Sequence, residues 1–494
     1  MKKTIAQACT LAAVVLAVGC SPPVIPRGSL VPAAQLQGQQ ARLEAYSGEL
    51  YQQGRVAEAF YVVEVEKNRQ MAAVTHGSVV AGRSADVAAM VQGGGGGDTR
   101  GIRLEPAAAP RESGAVIDDS AFWQAHAINE ARADAVAERM FPPGLTLKGR
   151  AVITTLEEVQ RLLQDGELMI SFFVAGEAVH AVAITNQAAR AVRLQAPASA
   201  LRGMTDALVA DVRDPRSQRW WESAAQVYGQ LLGLFEAELG AAKALVVIPH
   251  GFLANVPFAV LVDGQRRPLL SRMEVRYLPT ASLYRASLER QTIGDAPRML
   301  AVANAAYPAP WPRLPAAELE GRTLWRVFPG SRLMVGAEAT EEAFYEAYRG
   351  YNILHFATHG LLTAGAQGAA FASLVMTPSG QDDGYLSAQE IAALDLSATQ
   401  LTVLSACETS VSGGGKRLDS IAAAFLRAGS PRVVGSQWQV SDDATALLML
   451  KFYDRYVEDG SARALRQAQL ALADSERYGH PFFWAAFVYF GAAR

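Results

Sequence analysis

The chain has 494 residues, half of them hydrophobic and 19% charged, which is enough apolar material for two or three cored domains and excludes disorder throughout. A formal charge of −3, with no run of Lys and Arg able to track a phosphate backbone, argues against a nucleic-acid partner. There are only three cysteines, Cys9, Cys20 and Cys407, so a disulfide framework is not the basis of the fold.

The first segment, residues 1–19, has the pattern of an export signal. Lys2 and Lys3 form a positive start, and Thr4 to Val18 is mostly apolar but too short to span a bilayer comfortably. The run Leu16-Ala17-Val18-Gly19-Cys20 resembles the lipobox of bacterial lipoproteins, with Ala17 standing where Leu is commoner. That resemblance implies cleavage before Cys20 and diacylation of Cys20; an ordinary signal peptide cut near Gly19 is the alternative. Ser21, in place of the Asp that retains lipoproteins at the inner membrane, implies an outer-membrane lipoprotein of the bacterial cell envelope facing the periplasm. Cys9 leaves with the signal under either reading. Cys407 is then the only free thiol expected after export, either a reactive group or a small buried hydrophobe.

Residues 20–42 are Pro- and Gly-rich and suit a tether. Residues 43–145 read as a helical region with a glycine-rich linker. Within it, Leu43 to Ala72 is helical in pattern, and Tyr51 to Ala59 resembles part of one tetratricopeptide unit, too little for a repeat array. Residues 77–115 lack apolar periodicity, and Gly93 to Gly97 is no phosphate cradle, since no Lys-Ser/Thr follows and no strand precedes it. Ser120 to Met140 returns to helical spacing.

Residues 150–494 alternate short Val/Ile/Leu-rich runs with helical patterns. Leu168 to Leu194 predicts two or three strands, Trp220 to Leu239 a helix, and Ala244 to Ile248, Met299 to Ala303, Tyr351 to Thr358, Gln400 to Ala406 and Arg432 to Trp438 one strand each. Ser441-Asp442-Asp443 precedes a helix from Ala444 to Val457, and Ser461 another from Ala462 to Ala473. The fold class expected is α/β: a mostly parallel sheet flanked by helices, with a smaller N-terminal helical region.

In open α/β sheets the reactive groups gather at the carboxyl ends of the strands. The strand ending at Thr358 runs into His359-Gly360, and the strand ending at Ala406 runs into Cys407-Glu408-Thr409. As parallel neighbours these would present imidazole and thiol at one edge. Only a thiolate attacks well, and a neighbouring imidazole takes the thiol proton and returns one to a leaving amine. The backbone N–H groups of Gly360 and Cys407 are candidate oxyanion donors. No acidic third partner is identifiable.

The runs His355-Phe356-Ala357-Thr358-His359-Gly360, Asp383-Gly384-Tyr385-Leu386 and Leu404-Ser405-Ala406-Cys407-Glu408-Thr409 resemble the CHAT domain, a caspase-like family related to separase. The likeness extends through Gln437-Trp438, Asp442, Ala464-Leu465-Arg466 and Trp484-Ala485-Ala486-Phe487, and upstream to Ile248-Pro249-His250-Gly251 and Leu314 to Glu318. It implies a caspase-type cysteine peptidase with His359 and Cys407 as its dyad, no cofactor, and a protein as substrate. Ser410 departs from the usual Gly, and Gly413 to Arg417 is unusually glycine-rich, which bears on loop shape and preference beside the nucleophile.

Three further residues are candidate substrate contacts: Asp383, Trp438 and Gln437. Two have a plainer alternative: Asp383 as a turn former, Trp438 as core packing. Strand alternation puts His355 inside the sheet. One expected thiol and no paired Cys-x-x-Cys or His-x-x-x-His spacing make a metal site improbable. The competing reading is a non-catalytic caspase-like adaptor or scaffold lipoprotein that binds envelope proteins. Against it, both dyad residues are present.

Overall fold

The computed structural model describes residues 47–76, 146–147, 150–151, 153–289, 296–308, 311–364, 370–380, 382–406, 421–439 and 441–493. The predicted signal, the tether, Cys20, the helix at 120–140, and Cys407 with the loop after it lie outside the described residues.

Five strands form the first half of the sheet: β1 (Glu167–Ala175), β2 (Ala178–Ile184), β3 (Ala189–Arg193), β4 (Ala244–Ile248) and β5 (Glu274–Tyr277). The second half holds β6 (Met299–Ala305), β7 (Arg332–Gly336) and β8 (Ile353–Ala357). After it, β9 (Gly360–Ala364), β10 (Ala370–Val375) and β11 (Tyr385–Ser387) make a separate three-stranded sheet, and β12 (Leu401–Leu404), β13 (Val433–Ser436) and β14 (Phe487–Phe490) return to the main one. The 11-stranded order is β3-β2-β1-β4-β5-β14-β13-β12-β8-β6-β7. Pairing is parallel except at β1–β2, β2–β3 and β13–β14.

The antiparallel β13–β14 pair has a consequence that apolar runs alone do not reveal. Because β14 runs parallel to β5, the strands β1, β4 and β5 point opposite to β8, β12 and β13. The ends of β8 and β12 therefore share one edge, and Pro249-His250-Gly251 after β4 leaves at the other.

The helices used below are α1 (Val56–His76), α2 (Ala198–Arg213), α3 (Trp220–Leu231), α4 (Ala281–Glu289), α5 (Pro315–Leu324), α6 (Glu341–Ala347), α7 (Ala388–Ala392), α8 (Ile421–Ala428), α9 (Asp442–Asp459) and α10 (Ser461–Ala473). The helix expected over Trp220 to Leu239 is interrupted: α3 stops at Leu231, and a short 3-10 turn, Gly233–Phe235, buries Leu232 and Phe235 before the chain resumes as a helix.

Strand alternation sorts the two faces. On β8, Phe356 packs against Phe344 of α6 and Phe425 of α8, while His355 faces Glu320 of α5 and Tyr453 of α9. With every residue of β8 and β12 buried, each large apolar side chain contributes about 1.5–3 kcal/mol. Gly321 lets α5 approach the sheet, since a Cβ there would stand 2.6 Å from that of Ala303.

In the N-terminal region, α1 carries buried polar groups into the first half of the sheet. Lys67 Nζ donates to Ser171 Oγ at 3.1 Å, and Glu64 Oε2 accepts from the Ala281 N–H at 2.8 Å. Asn68 reaches Ser282 Oγ at 3.2 Å. Tyr51 stacks on His180 of β2, the strand adjacent to β1, with ring centroids 4.9 Å apart.

Candidate active site

Strands β8 and β12 are parallel neighbours, with Phe356 paired to Leu404. His359 and Cys407 each follow that pair by three residues along the chain. β13 continues the row on the far side of β12, pairing Val434 with Val403, and Ser436 Oγ donates to the Ala406 carbonyl, holding the described end of β12 against β13.

His359 is half-buried and its ring is tightly specified. Nε2 lies 2.8 Å from the carbonyl oxygen of Pro312. A carbonyl only accepts, so Nε2 carries the proton and Nδ1 is the atom left to act as base. The backbone is fixed too, because the Val375 N–H donates to the His359 carbonyl at 2.9 Å. Tyr307 meets the imidazole edge to face at 4.7 Å between centroids, and Trp311 at 4.9 Å with 38° between planes.

The segment that supplies these three groups is proline-rich and pinned at its base. Asn304, in the left-handed region at φ 41°, accepts from the Leu314 N–H at 2.7 Å and donates to Glu318 at 2.8 Å. Thr377 Oγ1 accepts from the Ala306 N–H at 2.8 Å, and the Trp311 N–H donates to the Pro308 carbonyl at 3.0 Å. Tyr307 is hydrogen-bonded to Thr358 Oγ1 at 3.1 Å, and burial pushes its phenol up to about 12, so it remains protonated near neutrality.

The three-stranded sheet closes one side. Leu361, Val375 and Tyr385 form a small apolar cluster with Tyr307 and Trp311 against it, and the Trp311 indole N–H donates to Tyr385 Oη at 3.3 Å. Gly360 opens β9 directly after His359. Asp442, in the first turn of α9, feels the His359 charge: desolvation holds its carboxyl above the ordinary value, and His359 opposes that rise.

The other sequence candidates lie at different places. Asp383 accepts from the Tyr385 N–H at 2.9 Å, the turn-former geometry, and adds its charge to a group of carboxylates around Glu341. Trp438 is buried, its indole N–H donating to the Phe482 carbonyl at 3.0 Å. Gln437 is 3% exposed; its backbone N–H donates to the Ala486 carbonyl while both side-chain polar atoms lack a partner among the described residues. His355 is fully buried, as alternation predicts. Among the described residues, no group of three or more His, Cys, Asp and Glu is placed to hold a metal ion.

Sequence reading missed Tyr307, Trp311, Pro312 and the charge coupling of Asp442. No residue-type signal marks Pro312, because it acts through a backbone carbonyl. The aromatic pair inside a run of prolines is the one legible clue.

The CHAT domain matches residues 221–492, more than half of the chain. The chain belongs to the CHAT domain family, and the matched region is an α/β domain with a mostly parallel sheet flanked by helices. Human tetratricopeptide repeat protein 28 is 25% identical over 306 residues, which are 51% of this chain and 12% of that protein's length. Among solved structures, separase from Saccharomyces cerevisiae in its complex with securin aligns over 75% of this chain and 33% of that one, at 9% identity and a TM-score of 0.46. The Arg-specific cysteine proteinase gingipain R aligns over 60% of this chain and 76% of its own, at 11% identity and a TM-score of 0.36.

Proposed function

We propose that this chain is a cysteine endopeptidase that cleaves a protein substrate, with Cys407 as nucleophile and His359 as general base and acid. The observation that carries the reading is the register of β8 on β12, which starts both residues the same distance past one strand pair, combined with an imidazole whose Nε2–H is already committed to Pro312. Nδ1 takes the thiol proton, the thiolate attacks the scissile carbonyl, and the tetrahedral oxyanion is met by the backbone N–H groups of Gly360 and Cys407. The imidazolium then gives its proton to the leaving amine, and water hydrolyses the acyl-enzyme, returning the thiol. Asp383, Gln437 and Trp438 are the candidate substrate contacts, of which Gln437 brings an unpartnered amide to the end of β13.

The test is labelling by a thiol-reactive peptide electrophile, read at the Cys407 peptide by mass spectrometry. Wild type is labelled, Cys407→Ala is not, and His359→Ala is labelled far more slowly. Equal labelling of wild type and His359→Ala refutes the dyad. Profiling new N-termini in wild-type and Cys407→Ala cells then identifies the substrate.

The lipobox-like run at 16–20 supports a lipid anchor on Cys20 and an envelope location for the same activity. Among the described residues no helix is long and apolar enough to cross a membrane. Globomycin should block processing of the precursor; unchanged processing removes the anchor from the reading.

A further inference from the structure

His359 is contacted by two aromatic rings. Tyr307 lies at 4.7 Å and Trp311 at 4.9 Å between ring centroids, inside the roughly 6 Å range in which a ring that presents its face attracts a cation. Each ring is itself anchored by its polar end, Tyr307 to Thr358 and Trp311 to Tyr385, so neither can swing away without losing a hydrogen bond. Four of the nine residues from 307 to 315 are proline, which limits the backbone freedom of the segment that presents them. Thr358 also donates to the Val375 carbonyl, so the residue preceding His359, the ring beside it and the neighbouring strand form one bonded set.

This is more fixation than packing needs for a half-buried side chain. One hydrogen bond from Nε2 to Pro312 leaves the imidazole free to pivot about that axis; two rings at different inclinations, 64° and 38°, remove the pivot. We propose that Tyr307 and Trp311 are positioning residues that clamp His359, keeping the proton on Nε2 and stabilising the imidazolium formed when the base accepts a proton at Nδ1. The proposal rests on the dyad reading for its catalytic meaning, but the clamp itself has a readout independent of catalysis.

The experiment uses the full chain with 15N-labelled histidine, in which His359 is assigned among the seven histidines by its loss in His359→Gln. The imidazole 15N shifts report which nitrogen carries the proton. Wild type should show one tautomer, Nε2–H. Trp311→Leu should show a mixture, with alkylation of Cys407 by iodoacetamide at pH 7 falling about threefold, the size expected of one partly exposed cation–aromatic contact. Trp311→Phe keeps a ring and should keep both readings within twofold.

If Trp311→Leu does not fold, isosteric fluorinated tryptophans replace it. Draining the ring of charge should slow alkylation stepwise with fluorine number in the wild-type chain and not in Trp311→Phe. A single Nε2–H tautomer in Trp311→Leu, or alkylation indifferent to fluorination, overturns the clamp. Equal alkylation of wild type and His359→Ala overturns the dyad instead, and the tautomer result then decides the clamp alone.

Discussion

Glu320 Oε1 and His355 Nε2 lie 2.9 Å apart with both side chains sealed from solvent, and Tyr453 closes the other imidazole nitrogen at 3.1 Å. Two histidines four residues apart thus have opposite fates. His355 is bonded on both nitrogens inside the sheet's helix-covered face, and His359 emerges at its edge with only Nε2 bonded among the described residues. Replacing His355 with Leu leaves a buried carboxylate without its partner and should cost about 3–5 kcal/mol. His359→Ala loses one half-exposed hydrogen bond and two ring contacts but leaves no buried charge, and should cost about 1–2 kcal/mol. Urea unfolding of the two variants checks the contrast; equal losses would contradict it.

Glu341 is 2% exposed and accepts from the Gly384 N–H at 3.0 Å. Burial, reinforced by the charges of Glu390, Asp383 and Asp382, pushes its carboxyl up to about 8. A raised acid stays protonated in the native chain while the unfolded chain ionises, so the native state binds more protons and stability falls as pH rises from about 4.5 through 8. Glu341→Gln keeps an acceptor for Gly384 and removes the titration. It should therefore melt higher than wild type at pH 8, with the difference vanishing near pH 4.5. A difference independent of pH would rule out this origin.

Helix α1 is expected to depend on its buried charges. The Lys67 amine is brought down to about 8 by burial, with Glu64 opposing the fall, and it reaches Ser171 across the sheet. Lys67→Met removes the bond to Ser171 and the amine's attraction for the Glu64 carboxyl, which burial already holds above its ordinary value, and should cost about 1–3 kcal/mol, with faster amide exchange along α1. Glu64→Gln in addition should recover part of that loss, since the carboxyl is gone. Hydrogen exchange of the single and double variants measures the coupling.

Gly384 takes a φ of +81°, and a Cβ there would stand 3.0 Å from the Met376 carbonyl oxygen and from the Pro378 ring. Gly384→Ala combines a left-handed backbone with a close contact and should cost at least about 1–2 kcal/mol, seen as a lowered melting temperature. Since β11 begins one residue later and carries Tyr385, the partner of Trp311, Cys407 alkylation should slow as well.

Much of the fold was legible because it depends on local pattern. Ala244–Ile248 reads as an unbroken apolar run and is buried at every residue, and Asp442–Asp459 begins where Ser441 and two acidic residues announce a helix. Other strands were not legible. Glu274–Tyr277 carries Arg276, which is buried only because Glu167 at 2.6 Å and Glu274 at 2.8 Å neutralise it, so its sequence does not look like a core strand. Of the strand Phe487–Phe490 only Phe487 lies in the family likeness, and the antiparallel pairing on β13 that reverses half of the sheet leaves no mark in the sequence.

The candidate site divides in the same way. By itself the sequence determined the family and the α/β class and singled out His359 and Cys407 as the proposed dyad, because a thiol and an imidazole each following a β-strand are properties of residue type and local spacing. Only the tertiary structure decided which nitrogen of His359 is bonded, since that depends on a carbonyl 47 residues earlier in the chain, and which rings hold it. It also decided that His355 belongs to Glu320 and Tyr453. Backbone acceptors and long-range ring contacts leave no trace in composition or periodicity; they exist only once the chain has brought distant segments to within hydrogen-bond reach.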